Sequence, residues 1–159
     1  KIIEDILLMS KPHVANQIDI NLFESLTKFQ AEFCQQHNID TSLFNVDCPD
    51  KLLIMQFDVM HLNQLFWNLA ENALKHGQDN KLSVSISNQP KYIFIDIKNN
   101  GATFKSIVEE SLFIPFFTTH TQGTGLGLYI CREICKSNNA KLEYLRQEFQ
   151  HVFRIHVKK

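Results

Sequence analysis

Residues 58–77 read DVMHLNQLFWNLAENALKHG, and the spacing of their side chains decides how the rest of the chain is read. At about 100° per residue, Leu62, Leu65, Phe66, Leu69 and Ala73 fall on one stripe, which predicts an amphipathic helix over residues 59–76. Asp58 is placed to cap its start, and Gly77 to end it. A second stripe beside the apolar one is wholly polar: His61, Gln64, Asn68, Asn72 and Lys75. A solvated face is one reading of it. Two features point to a ligand instead. Asparagine inside a helix costs roughly half a kcal/mol against alanine, and here it recurs four residues apart. Two amide oxygens on one face, with a lysine three residues on, could hold a hydrated Mg²⁺ and its phosphates, since that ion takes oxygen ligands and keeps several waters.

Working outward, residues 82–87 alternate cleanly and 92–98 are almost continuously apolar, predicting two strands, the second of them central. Closing strands are expected over 141–146 and 152–157, shorter ones over 43–46 and 52–56. A helix over 22–36, with Asn21 as its cap, carries Leu22, Leu26, Phe29 and Phe33 on one side. Residues 1–10 read as the tail of another helix, ended by Pro12. The stretch 112–128, LFIPFFTTHTQGTGLGL, leads into a helix over 125–137. Its glycines would let the backbone approach a ligand, and the helix start offers free N–H groups to an anion. No strand runs directly into the glycines, and no GK[ST] follows, so neither the dinucleotide fingerprint nor a P-loop is present. Phe113, Phe116 and Phe117 are read as core. Pro115 and the Thr118–Thr119 pair suggest a chain leaving the core for a short lid. The elements add up to an α/β two-layer sandwich, a mixed sheet with three main helices on one face, too strand-rich for a doubly wound fold.

The 159 residues suit one domain with its own core. With 16 basic and 17 acidic side chains the net charge is -1, which leaves no electrostatic footprint for nucleic acid or for direct membrane contact. No apolar run approaches the roughly 20 residues of a spanning helix, and no signal peptide opens the chain. Cys34, Cys48, Cys131 and Cys135 form no CxxC and are read as buried thiols of a reducing compartment.

Four segments, taken together and in order, resemble the boxes of the histidine kinase ATPase family, which shares its fold with gyrase, Hsp90 and MutL. NLAENALKH (Asn68–His76) is similar to the N box, and IDIKNNGATF (Ile95–Phe104) stands in place of the first glycine box. LFIPFFTT (Leu112–Thr119) matches the F box, and GTGLGL (Gly123–Leu128) the second glycine box. The opening KIIEDILLMSKP looks like the end of a dimerisation hairpin, which divides the chain into residues 1–12, hairpin end and linker, and 13–159, the catalytic ATP-binding domain. The stretch from Phe116 to Tyr144 is especially similar to sensor kinases of the nitrogen-regulator type, among them those that regulate type IV pili.

The resemblance implies a Bergerat-type fold, ATP and Mg²⁺ as cofactors, and a role for each matched position. Asn72 is the principal Mg²⁺ ligand with Asn68 beside it, Lys75 contacts phosphate, and His76 lies near ribose or phosphate. Asn99, Gly101 and Thr103 bind adenine. Phe117 to Thr119 border the nucleotide, residues 118–122 form the lid, and Gly123, Thr124, Gly125, Leu126, Gly127 and Leu128 line the phosphates. The implied reaction passes the γ-phosphoryl group to a histidine on a separate dimerisation domain, with a response regulator downstream. The parent protein would be anchored in the inner membrane, with this domain cytoplasmic and monomeric when isolated.

The chain departs from the pattern in three places. Asn99 replaces the usual aspartate, an exchange that removes charge assistance of about 1 kcal/mol from the bond to adenine. Thr103 replaces the second glycine, and the lid is short. No phosphoacceptor motif occurs, and His13 reads as a linker residue. These departures motivate the competing expectation, a degenerate ATPase-like domain that binds nucleotide weakly or not at all and acts by docking.

Overall fold

The computed structural model describes residues 3, 4, 6, 14–119 and 123–159. The predicted boundary at residue 12 and residues 120–122 of the predicted lid lie outside them. The elements run β1 (Ile18–Asn21), α1 (Leu22–His37), a 3-10 turn (Thr41–Leu43), β2 (Phe44–Asp47), β3 (Ile54–Phe57), α2 (Val59–His76), β4 (Leu82–Asn88), β5 (Tyr92–Asn100), α3 (Ser106–Ser111), α4 (Gly127–Ser137), β6 (Ala140–Gln147) and β7 (Gln150–Lys158). A five-stranded sheet has the order β2-β4-β5-β7-β6. Only its β2–β4 pair is parallel. β1 and β3 make a separate antiparallel ribbon.

The pleat explains the layering. Leu82, Val84, Ile86, Ile93, Ile95, Ile97, Phe153, Ile155 and Val157 are buried and share one face of the sheet, joined with Leu22, Leu26, Leu62, Leu65, Leu69, Ile130 and Ile134 of the three long helices in one core. The opposite face is polar. Arg154 donates two hydrogen bonds to Asp96, at 2.7 and 2.8 Å, and lies over the Phe94 ring at 5.0 Å. One oily face and one ion-paired face make a two-layer sandwich.

Five aromatic residues form a cluster between α1, β2 and α2. Phe29, Phe33, Phe44, Phe66 and Trp67 pack with ring centroids between 5.1 and 5.9 Å, tying α1 to β2 and α2. Both long helices start as their sequences predict: Asn21 accepts from Glu24 N at 2.9 Å and Asp58 from His61 N at 3.1 Å. Several details differ from expectation. β1 and α3 were not foreseen, being four and six residues long. Residue 43 belongs to the 3-10 turn, and α4 begins at Gly127 rather than Gly125. Gly77 is extended, at φ -80; its lack of a side chain matters because a Cβ would meet the Ala73 carbonyl at 2.8 Å. Phe116, read as core, is 65% exposed and has a left-handed φ of 66.

α2 and α4 are pinned by one buried amide. Asn138, at the end of α4 and 1% exposed, accepts from Asp58 N at 2.9 Å, donates to Ile134 O at 2.8 Å and bonds His61 Nδ1 at 3.0 Å. His61 is thereby removed from the polar stripe assigned to it and is buried. The Asn138→Ala variant strands a buried N–H at the start of α2, so chemical denaturation should register a loss of about 2 kcal/mol. A loss under about 0.5 kcal/mol, the range of ordinary surface changes, would show that the amide is not a tie.

Candidate functional site

The exposed edge of α2 faces the glycine stretch across a cavity. Its wall on the helix side is Asn68, Glu71, Asn72, Lys75 and His76; on the other side stand Phe117, Thr118, Thr119, Gly123, Thr124, Gly125, Gly127 and Leu128; Phe104, Val108 and Leu112 close one end. The N box and the second glycine box, about 50 residues apart in the chain, thus share one space. Gly125 makes this possible. It has φ +72, and a Cβ there would lie 2.4 Å from the Phe116 carbonyl carbon. Phe116 N donates to Gly125 O at 2.9 Å, so the two segments touch backbone to backbone. Gly127 is different, with nothing within 4 Å of a Cβ.

The chemistry of the cavity suits an anion with a hydrated cation. Leu126 makes no side-chain cap bond at the head of α4, which leaves the N–H groups of that helix's first turn to an anion. Lys75 adds a cation on the facing helix. Asn68 Nδ2 is buried without a hydrogen-bond partner, an orphaned amide of the kind that a ligand completes. Among the described residues no group of three or more His, Cys, Asp or Glu could hold a metal unaided. A divalent cation here would draw its remaining ligands from water and phosphate, as Mg²⁺ does, and the amides of Asn68 and Asn72 fit that set.

The predicted adenine residues are placed differently. Asn99 is 3% exposed and its Nδ2 reaches Asn100 O at 3.4 Å. Gly101 and Thr103 line a second hollow, with Asp79, Arg146 and Phe149. Phe104 stands between the two spaces, edge-on to His76 at 5.9 Å and stacked on His151 at 4.2 Å. Leu126 is 1% exposed, in the core, which leaves only its backbone for a phosphate. Four lining residues were not foreseen: Glu71, Phe104, Val108 and Leu112. His151 was also missed, although it continues the inward alternation of Phe153, Ile155 and Val157. Burial, the positive charge of Arg146 and His76 nearby, outweighing the Ala102 backbone, push its imidazole below the usual histidine range, so it is neutral at pH 7.

A mixed sheet layered on helices, with an asparagine-lined helix edge facing a glycine strap at a helix head, defines an ATP-binding sandwich. The chain belongs to the histidine kinase-, DNA gyrase B- and HSP90-like ATPase family, whose model matches residues 57–159. Over 97% of its length it is 32% identical to the sensor protein kinase PilS of Pseudomonas aeruginosa. It spans only part of the curated relatives it matches, 30% of that kinase and 25% of the sensor protein kinase WalK of Staphylococcus aureus. Among solved structures, the catalytic domain of the histidine kinase ThkA superposes with a TM-score of 0.78 at 29% identity, covering 91% of this chain and 96% of that one. ThkA in complex with the response regulator protein TrrA gives 0.81 at 27% identity, covering 99% and 46%.

Proposed function

We propose that this chain is the catalytic part of a two-component sensor histidine kinase, binding Mg-ATP and handing the γ-phosphoryl group to a histidine on a separate dimerisation domain. The observation that carries this reading is the cavity itself, which sets Asn68, Asn72 and Lys75 opposite Gly123, Gly125 and Gly127. In it, Lys75 and the N–H groups at the head of α4 take the phosphate charge, and Asn72 with Asn68 orients the cation. Mg²⁺, when bound, would supply charge neutralisation at the phosphates. Phosphoryl transfer needs mainly position and charge neutralisation. The nucleophile is the imidazole of the other domain, so the cavity has no need of one.

The likeness to PilS supports a parent sensor that governs pili, membrane-anchored, with this domain on the cytoplasmic side and a response regulator as its downstream partner. No helix among the described residues is long and apolar enough to cross a membrane. Asn99 is the adenine contact, acting through its amide oxygen.

Calorimetric titration of ATP and ADP, with and without Mg²⁺, tests the reading. ATP should bind in a Mg²⁺-dependent manner. Asn99→Asp, which restores a charged acceptor worth about 1 kcal/mol more, should tighten it about fivefold. No heat from the native domain at millimolar ATP and Mg²⁺ would overturn the assignment.

A further inference from the structure

The strand registers place one residue from each of four neighbouring strands in a row on the helix-facing side of the sheet. Leu82 on β4 pairs with Asn99 on β5, Asn99 with His151 on β7, and His151 with Arg146 on β6. A face that is otherwise apolar therefore ends in three polar side chains abreast, two of them with unmet hydrogen-bonding capacity. His151 Nε2, and Arg146 Nε and Nη1, are buried and make no well-formed hydrogen bond, the Ala102 backbone lying near enough to His151 only to favour its charged form. Buried nitrogens without partners are costly, and two such residues side by side are more than accident at one end of a core.

His151 is held ready for a contact at that nitrogen. Its Nδ1 is engaged by the Tyr144 hydroxyl at 2.6 Å. Arg146, donating toward the Tyr144 oxygen, favours the phenolate, while burial and Glu109 raise the phenol pKa and keep it protonated. In the tautomer in which the hydroxyl donates to Nδ1, Nε2 carries the imidazole hydrogen. That edge faces Gly101, where a Cβ would stand 2.8 Å from Nε2, so the glycine is what leaves it uncovered by a side chain. Its flat face is covered by Phe104, 4.2 Å away and inclined by 25°. Phe104 also lines the ATP cavity beside His76, so the ring that covers His151 is the ring that ends the cavity.

We propose that His151 is a base-recognition residue: the purine enters by displacing Phe104 from the imidazole, and Nε2–H donates to a ring nitrogen beside the exocyclic amine that Asn99 accepts. This rests on the nucleotide reading above and adds a second hydrogen bond at the place where Asn99 is weakest. An aromatic ring leaving an aromatic face for a base exchanges one stack for another, so the base gains the unmet donor at little stacking cost.

The test separates base from phosphate by using two probes, Mg-ATP and inorganic tripolyphosphate with Mg²⁺. His151→Phe keeps the ring and loses the nitrogen. It should weaken ATP about tenfold, the loss of one buried hydrogen bond, and leave tripolyphosphate unchanged. Unchanged ATP binding overturns the inference, as does an equal loss for both probes, which would mark His151 as structural. If the native domain binds neither probe, the nucleotide reading itself fails, a result distinct from either. Should the variant not fold, the native protein labelled with ¹⁵N-histidine decides: the Nε2 resonance of His151 should move with ATP and not with tripolyphosphate, and a resonance indifferent to both overturns the assignment.

Discussion

Asn72→Ala should abolish Mg²⁺-dependent ATP binding, lowering affinity about 100-fold in a titration that leaves the thermal melt nearly unchanged. Asn72 sits four residues after Asn68 and three before Lys75 on the edge of α2 that faces the cavity, and it is only partly buried. Removing its amide takes nothing from the core, and alanine is the better helix former by roughly half a kcal/mol. Stability should hold or rise slightly. Binding loses a ligand to a cation and, through it, the screening of the phosphates; a charge-assisted contact of about 1.5–3 kcal/mol converts to a factor of roughly 10 to 150. The same experiment without Mg²⁺ should show native and variant nearly alike. Retained Mg²⁺-dependent affinity would remove Asn72 from the site and leave Lys75 and the head of α4 as the phosphate determinants.

How far these conclusions were legible in the sequence depends on the range over which each feature is determined. The α2 helix was legible because its signals are local: the apolar stripe, the Asp58 cap and the asparagine repeat lie within 20 residues. The two-layer architecture followed from the order of the elements, with clean alternation in β4 and an almost continuous apolar run in β5. β1 was not legible, because its four residues find a partner only in β3, some 35 residues away, and two alternating isoleucines are too few to mark a strand. α3 was missed because a six-residue helix has too few turns for periodicity to speak. The polar stripe was misassigned at His61 for a tertiary reason: its partner, Asn138, is 77 residues away. The site divides in the same way. The helix edge and the glycine strap could be read separately, whereas their shared cavity, and the role of Phe104 in ending it, depend on the loop after β5 folding back over β7. Asn99 was legible as the substituted aspartate, but its cross-strand neighbour His151 becomes visible only with the register.

The three glycines of the second box look equivalent in sequence, and the structure makes two of them opposites. Gly125→Ala should destabilise the domain by about 2–3 kcal/mol, close to a 5–10 °C fall in melting temperature for a chain of this size. The new Cβ meets backbone atoms of Phe116 at 2.4 and 2.7 Å, which no rotamer change can relieve, and the residue must still hold φ +72. Phe116 is itself left-handed at φ 66, so the neighbour has little freedom to yield. The Phe116 N to Gly125 O bond is then lost, and with it the closure that brings the F box against the head of α4. ATP affinity should fall too, because the phosphate-facing N–H groups lose their fixed position relative to α2. Gly127→Ala meets nothing within 4 Å and sits at the first helical position of α4, where alanine is favoured by up to about 1 kcal/mol. Its melt should hold or rise. Its ATP affinity should nonetheless fall, since Gly127 lines the cavity and a methyl group there occupies room that a phosphate needs. The pair therefore separates two uses of glycine, one for the backbone crossing and one for the ligand. Equal melting temperatures for the two variants would mean that Phe116 and Gly125 are not in contact in solution, and that the strap is closed by something other than this crossing.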